Sequence, residues 1–320
     1  MRVLGELDGV DLVTVVDADP GNLRAALRGR TDVEGFADVL GLLAGPHRPD
    51  LAVVATPTRT HAAVAAQLLE AGVSCLVEKP LAVTRSEGEH LVSLARDRGL
   101  QLAVGHVERF NPAIQQMHAR LGRGEGGSVH LLTARRTGPF PARIQDVGVI
   151  TDLATHDVDV MHLLTGSSVV RLHAESARRV AESHEDLFAG TLRFASGQIG
   201  LLDVNWLTPF KTRELTVVCE RGTYVANYLT QELTFYENAS GAGGWESLAL
   251  ITGVTEGDMV RYAVRRAEPL RAELEAFAAA VRSGEAGTCV SGADALATLD
   301  VVAGLVESAA SARLSDRTIA

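Results

Sequence analysis

At 320 residues the chain is about twice the length of a typical domain, so two domains are expected. Hydrophobic residues make up 46% and charged residues 22%, a globular composition able to bury a sizeable core. The net charge of −10 argues against a nucleic-acid partner, which would need basic surface, yet a locally basic pocket can still hold a small anion.

No apolar run approaches the length of a membrane span, and the N-terminus lacks a secretory pattern, so no membrane partner is expected. Cys75, Cys219 and Cys289 are far apart and show no metal-ligand spacing. Their odd number points to reduced thiols in the cytoplasm. Of the 30 basic residues only Lys79 and Lys211 are lysine. A lysine kept in so arginine-rich a chain suggests a need for a compact ammonium that can lose its proton.

In chain order, Asp11–Val16 reads as a buried strand, followed by a helix with Pro20 near its start. Leu51–Ala55 is a short strand, Thr60–Ala71 a helix and Val73–Val77 a strand. Thr84–Arg98 is an amphipathic helix and Leu100–Val104 another strand. Short apolar strands alternating with helices predict a doubly wound, Rossmann-like parallel sheet, which binds ligands at the carboxyl ends of its strands. Those ends are followed by Asp17, Thr56-Pro57, Glu78-Lys79-Pro80 and Gly105-His106.

The second half predicts one helix over Val149–Leu164, then alternating strands at Val169–Ala177, Leu187–Phe194, Gln198–Trp206, Glu214–Cys219 and Leu233–Tyr236. This is the pattern of a mostly antiparallel sheet with one covered face. Phe194–Gln198 reads as a hairpin turn, Gly241–Gly244 as a flexible loop, and helices are expected at Leu270–Arg282 and Ala293–Ala312. The boundary falls within 106–128, giving a dinucleotide-binding domain over 1–120 and an α+β substrate-binding and oligomerisation domain over 121–320.

Asp17 can bond the adenosine ribose of a dinucleotide, or simply serve the Asp-Ala-Asp-Pro turn. The G-x-G-x-x-G that should precede it is not formed by Gly5 and Gly9. Met1–Leu7 reads as the tail of a first helix, so about 20 further residues are expected ahead of it in the natural protein. Glu78-Lys79-Pro80 is a surface salt pair or a functional strand-end lysine, and its placement favours the second. Asp152, His156 and Asp159 fall together on one side of the apolar stripe of their helix, as a solvated face or a cleft-facing set. Asp157 falls within the stripe and calls for a buried partner. No histidine or cysteine cluster joins Asp152 and His156, so no metal is expected.

The segments ATPTRTHAAVAAQLLEAG, VEKPLA, GHVERFNPA and FPARIQDVGVITDLATHDVDVMHLLTG resemble the Gfo/Idh/MocA oxidoreductases across nearly the whole chain. The last two are similar to the corresponding segments of UDP-N-acetylglucosamine 3-dehydrogenases. This resemblance implies NAD-dependent oxidation of a sugar hydroxyl, with Lys79, Asp152 and His156 catalytic. It places Asp17, Thr56, Pro57, His61, Glu78 and Lys79 at the cofactor, and His106, Glu108, Arg109, Asn111, Arg143, Asp152 and His156 at the substrate. A nucleotide-sugar diphosphate calls for cations, for which Arg109, Arg135, Arg136 and Arg143 are the candidates. Asp17 and the arginine-free Ala18-Asp19-Pro20 favour NAD over NADP. A homo-oligomer, dimer or tetramer, is also implied. The rival readings are a dehydrogenase of a free sugar or inositol, and a non-catalytic regulator on the same fold.

Overall fold

A computed structural model describes residues 1–141, 147–239 and 256–311. The chain divides into two compact units, one of Met1–Val107 with Glu268–Leu299, the other of Glu108–Ala267 with the residues from Asp300 onward. The division expected at residue 120 thus falls at 107/108, and a C-terminal stretch expected in the second domain returns to the first.

The first unit alternates strands and helices as expected. Its elements are β1 (Thr14–Val16), α1 (Pro20–Leu27), β2 (Glu34–Phe36), α2 (Val39–Ala44), β3 (Leu51–Val54), α3 (Thr58–Glu70), β4 (Ser74–Glu78), α4 (Arg85–Arg98) and β5 (Leu102–Gly105). The strands β3, β4 and β5 form a parallel sheet with β4 in the centre, and β1 pairs in parallel with β2 alone. With partners on both sides, β4 buries Ser74 through Val77 completely, as a central parallel strand should. Strand β1 is shorter than expected and only half-buried, because a two-stranded pair covers less of it. Leu4–Glu6 is a 3-10 turn rather than the tail of an α-helix. Helix α4 is bounded by chemistry legible in the sequence: Thr84 and Glu87 form a capping box, and Gly99 closes the helix in the left-handed region.

The returning segment brings α7 (Pro269–Ser283) and the first residues of α8 (Gly292–Ser311). Leu274 and Phe277 pack with Val3, Leu7, Leu76 and Ala103. Ala295 and Leu296 join the core around Val77 and Leu91. Apolar helix faces thus assign 268–299 to the first unit, a pairing that linear periodicity does not reveal.

The second unit holds α5 (Pro112–Gly122), β6 (Val129–Pro139), a π-helical turn at Ile150–Ala154 running into α6 (Thr155–Thr165), β7 (Val169–Ala177), β8 (Leu187–Phe194), β9 (Ile199–Asn205), β10 (Leu207–Cys219), β11 (Gly222–Asn227), β12 (Glu232–Asn238) and β13 (Glu256–Tyr262). The eight strands form one sheet in the order β13-β12-β11-β10-β6-β9-β8-β7. Every pairing is antiparallel except β6 with β9. Strand β8 shows the logic: Phe188, Gly190, Leu192 and Phe194 are buried while Ala189 and Thr191 are exposed. The hairpin after it closes as expected, with Gly197 at φ +100°. Ile114, Met117, Val158, Met161 and Leu305 pack with Leu132, Phe188, Leu202 and Val217 to build the core. Elements beyond those expected are β2, α2, α5, β6, β11 and β13. The loop expected at Gly241–Gly244 lies outside the described residues. Among the described residues no helix is long and apolar enough to cross a membrane.

Candidate active site

In the first unit the carboxyl ends of the parallel strands gather the expected cofactor residues. Asp17 follows β1; its Oδ1 accepts the Asp19 N–H at 2.8 Å, and Asp19 in turn caps α1. Thr56 and Pro57 follow β3 and are exposed, with Pro57 at the N-cap of α3. Glu78 ends β4, opposite Gly105 at the end of β5. A Cβ on Gly105 would lie 2.9 Å from Glu78 Oε2 and 3.2 Å from its Cα, so only glycine lets the carboxylate lie there. Burial pushes the Glu78 carboxyl above its ordinary range, with Lys79 and His61 opposing the shift. Lys79 comes next, half-buried, joined to Pro80 by a cis peptide bond.

His61, expected beside the cofactor, lies buried between the loops that follow β3 and β4. It is 1% exposed, with Nε2 2.8 Å from the Thr56 carbonyl and Nδ1 2.8 Å from the Pro80 carbonyl. The ring bridges the loops that follow β3 and β4. A carbonyl only accepts, so both contacts are hydrogen bonds at once only when both ring nitrogens carry protons.

A nicotinamide dinucleotide fits these strand ends in part. Asp17 offers a carboxylate for the ribose, and Thr56, Pro57 and Lys79 present polar or open surface at neighbouring ends. The residues ahead of β1 supply no glycine fingerprint for the pyrophosphate.

In the second unit Asp152 and His156 are half-buried at the start of the helix that ends at Thr165. The α-helix expected from Val149 begins instead with a π-helical turn over Ile150–Ala154, a feature that recurs at functional sites. Asp152 therefore sits in the π turn and His156 in the α-helix proper. The first amides are held from another segment: Val149 N donates to the Glu185 carbonyl at 3.0 Å and Ile150 N to Glu185 Oε1 at 3.1 Å.

The buried side of α6 carries two arginine–aspartate pairs. Asp157, which called for a buried partner, meets Arg136 of β6 through two bonds of 2.8 and 2.9 Å. Arg136 also donates to Glu108 Oε1 at 2.9 Å. Burial opposes the charge on Arg136, yet Asp157 and Glu108 hold its guanidinium above its ordinary range. Arg136, expected among the cations for a diphosphate, is thus an interior residue at 3% exposure. Arg135, next along the strand, points the other way and pairs with Asp203 at 2.9 Å on exposed surface. Asp159, expected with His156 on a polar side, is buried and takes a two-pronged bond from Arg109 at 2.7 and 2.8 Å.

The segment after β5 is committed inward as well. His106 is buried. Asn111 caps α5 through the Ala113 amide and donates to the Tyr228 carbonyl at 3.1 Å. Glu108, Arg109 and Asn111, expected at the substrate, therefore hold internal partners in this structure. Arg143 lies outside the described residues. Sequence reasoning missed Glu185 and Asp186, which stand on a loop before β8 with no spacing signal. Only Gly148, directly ahead of the helix, hints that something packs closely there.

Comparison with known proteins matches two family models. The oxidoreductase family with an NAD-binding Rossmann fold covers residues 2–106, and the GFO/IDH/MocA C-terminal domain covers residues 114–225. The chain is similar to a UDP-N-acetylglucosamine 3-dehydrogenase from Acidithiobacillus ferrooxidans, at 32% identity over 77% of this chain and 74% of that protein. A solved structure of the same enzyme matches with a TM-score of 0.77 at 27% identity, covering 92% of this chain and 89% of that one. Inositol 2-dehydrogenase 1 from Saccharopolyspora erythraea is 32% identical over 88% of this chain and 81% of its own length.

Proposed function

This chain belongs to the Gfo/Idh/MocA oxidoreductase family, and on that footing we propose that it oxidises the 3-hydroxyl of UDP-N-acetylglucosamine or a similar nucleotide sugar with NAD. It is an NAD-dependent oxidoreductase of the class acting on sugar hydroxyls. The observation that carries the reading is Lys79, the lysine directly past the carboxyl end of the central parallel strand. Similarity to the 3-dehydrogenase supports the choice of sugar.

Oxidising a secondary alcohol removes a hydride from carbon and a proton from oxygen. Bound NAD supplies the hydride acceptor. The proton is taken by His156, whose imidazole titrates near neutrality when unperturbed. Asp152, at the preceding turn, orients the ring or stabilises its charged form. Lys79 donates a hydrogen bond to the oxygen as it gains negative charge, stabilising the alkoxide. Asp17 accepts bonds from the ribose hydroxyls and repels a 2′-phosphate, which favours NAD over NADP. Thr56, Pro57 and Glu78 complete the cofactor side. Arg143 is the cation assigned to the diphosphate, and the protein works as a homo-oligomer in the cytoplasm.

The test is NADH formation by the purified chain with UDP-N-acetylglucosamine, free N-acetylglucosamine and myo-inositol supplied separately. Turnover of the nucleotide sugar to a 3-keto product is expected. A higher kcat/KM for myo-inositol would instead favour the second reading, that of an inositol dehydrogenase, which rests on the similarity to inositol 2-dehydrogenase 1.

A further inference from the structure

The helix that carries Asp152 and His156 begins without a capping side chain of its own: Val149, ahead of the π turn, makes no side-chain cap bond. A helix start leaves several amides without intrahelical partners, and these need acceptors from elsewhere. Here one residue supplies two. Glu185 accepts the Val149 amide with its carbonyl and the Ile150 amide with Oε1. A carboxylate at this position also lies at the positive end of the helix dipole. The contact leaves no room on the other side. A Cβ on Gly148 would fall 2.0 Å from Glu185 Oε1 and 2.1 Å from Oε2.

The loop that delivers Glu185 is itself fixed. Asp186 is fully buried and accepts the amides of Arg179, Val180 and Ala181 at 2.6 to 3.0 Å. Burial pushes its carboxyl up, but those amide bonds outweigh it and hold it below the usual carboxylate range. Its own backbone is tied to the sheet, with Asp186 N bonded to the Ala177 carbonyl and its carbonyl to Trp206 N. The sequence of constraints runs from the sheet to Asp186, to the loop, to Glu185, to the first amides of the helix.

We propose that Glu185 is a positioning residue for the reaction, setting the place of Asp152 and His156 by capping the helix that bears them, with Gly148 conserving the space it needs. The proposal rests on the dehydrogenase reading for its kinetic consequence but not for its structural one. Glu185→Gln keeps an acceptor oxygen and loses the charge, whereas Glu185→Ala loses both. Gly148→Ala should act like Glu185→Ala by displacing the carboxylate.

The experiment compares the wild-type chain with these three variants by amide hydrogen exchange at residues 149–152 and by steady-state kinetics. Glu185→Ala and Gly148→Ala should speed exchange of the Ile150 amide, whose acceptor is the carboxylate, roughly 2- to 30-fold, the range spanned by losing a helix cap. Both should lower kcat about ten- to a hundredfold, as small displacements of catalytic groups do, with NADH affinity unchanged. Glu185→Gln should restore protection and most of kcat, a rescue that a merely structural charge would not give. Wild-type protection in Glu185→Ala, or equal failure of Glu185→Gln and Glu185→Ala, would overturn the proposal. If the wild-type chain oxidises no sugar, the dehydrogenase reading falls, and the exchange rates alone decide whether Glu185 holds the helix.

Discussion

Lys79 follows a strand whose first four residues, Ser74–Val77, are all buried, while Asp152 and His156 ride on a helix whose interior side carries two aspartates, each gripped by an arginine. In the first case apolar burial fixes the backbone and one histidine links the neighbouring loops. In the second, charges drawn from β6, from the segment after β5 and from a loop before β8 set the position of the helix. The first device is local and tolerant. The second depends on partners distant in sequence, and each buried charge in it becomes a cost when its partner is lost. The two regions should therefore respond differently to single substitutions.

The largest effects should come from the residues proposed to act on the sugar hydroxyl. His156→Ala should lower kcat by ~10²–10⁴ while leaving NADH binding intact, since it would remove the proposed base, which stands in the second unit and not at the strand ends proposed for the cofactor. Lys79→Arg should fail nearly as badly as Lys79→Ala, because a planar guanidinium is larger and cannot place its donor where the compact ammonium does. Stopped-flow turnover with UDP-N-acetylglucosamine and NADH fluorescence titration measure both. Near-wild-type turnover by Lys79→Arg would reduce Lys79 to a charge beside the cofactor.

Next in size is the removal of one buried charge. Arg136→Ala leaves Asp157 and Glu108 facing each other without their cation, and should cost about 3–5 kcal/mol in a denaturant melt. Replacing both members, Arg136→Met with Asp157→Leu, should cost less, since only Glu108, the more exposed of the two carboxylates, is then left without its cation. A double variant as unstable as the single one would mean that the pair contributes more than mutual neutralisation.

The contrast also explains what was legible in the sequence. Strand β4, the capping box of α4, the hairpin at Gly197 and the alternation of β8 announce themselves because their signals lie within a few residues. Asp157 was legible as a misfit in an apolar stripe, but its partner was not, because Arg136 and Arg135 are adjacent residues that only the pleat of β6 sends to opposite faces. Asp159 read as part of a solvated or cleft-facing set for the same reason: nothing near it in sequence announces Arg109. The π turn escaped because its residues have ordinary helical patterning. The return of 268–299 to the first unit escaped because an amphipathic helix does not say which core it covers.

His61 offers the matching test in the first unit. His61→Ala leaves at least one of the Thr56 and Pro80 carbonyls without its donor, and an unmet buried group costs ~1–3 kcal/mol. The loss should be smaller than that of Arg136→Ala, because the groups left unmet are neutral carbonyls and not buried charges. Thermal melts of the two variants under one condition make the comparison. A larger loss for His61→Ala would show that the first unit, too, depends on a single polar link.

The smallest effect is a change with pH, seen only in acid. Asp186 has its carboxyl held below the usual range by three amides, so the folded state binds its proton less readily than the unfolded chain does. The stabilisation it gives is fully present above the unfolded aspartate value of about 3.9, and is lost as pH falls from there through the lower folded value. Asp186→Asn removes that term at every pH, and its amide group presents donors to amides that need acceptors. The gap in stability between wild type and Asp186→Asn should therefore be constant above about pH 5 and narrow as the solution is acidified below about 4. Urea melts across that range measure it. A gap that widened in acid would mean the carboxyl is held protonated in the fold, and that the loop carrying Glu185 is organised by something other than its charge.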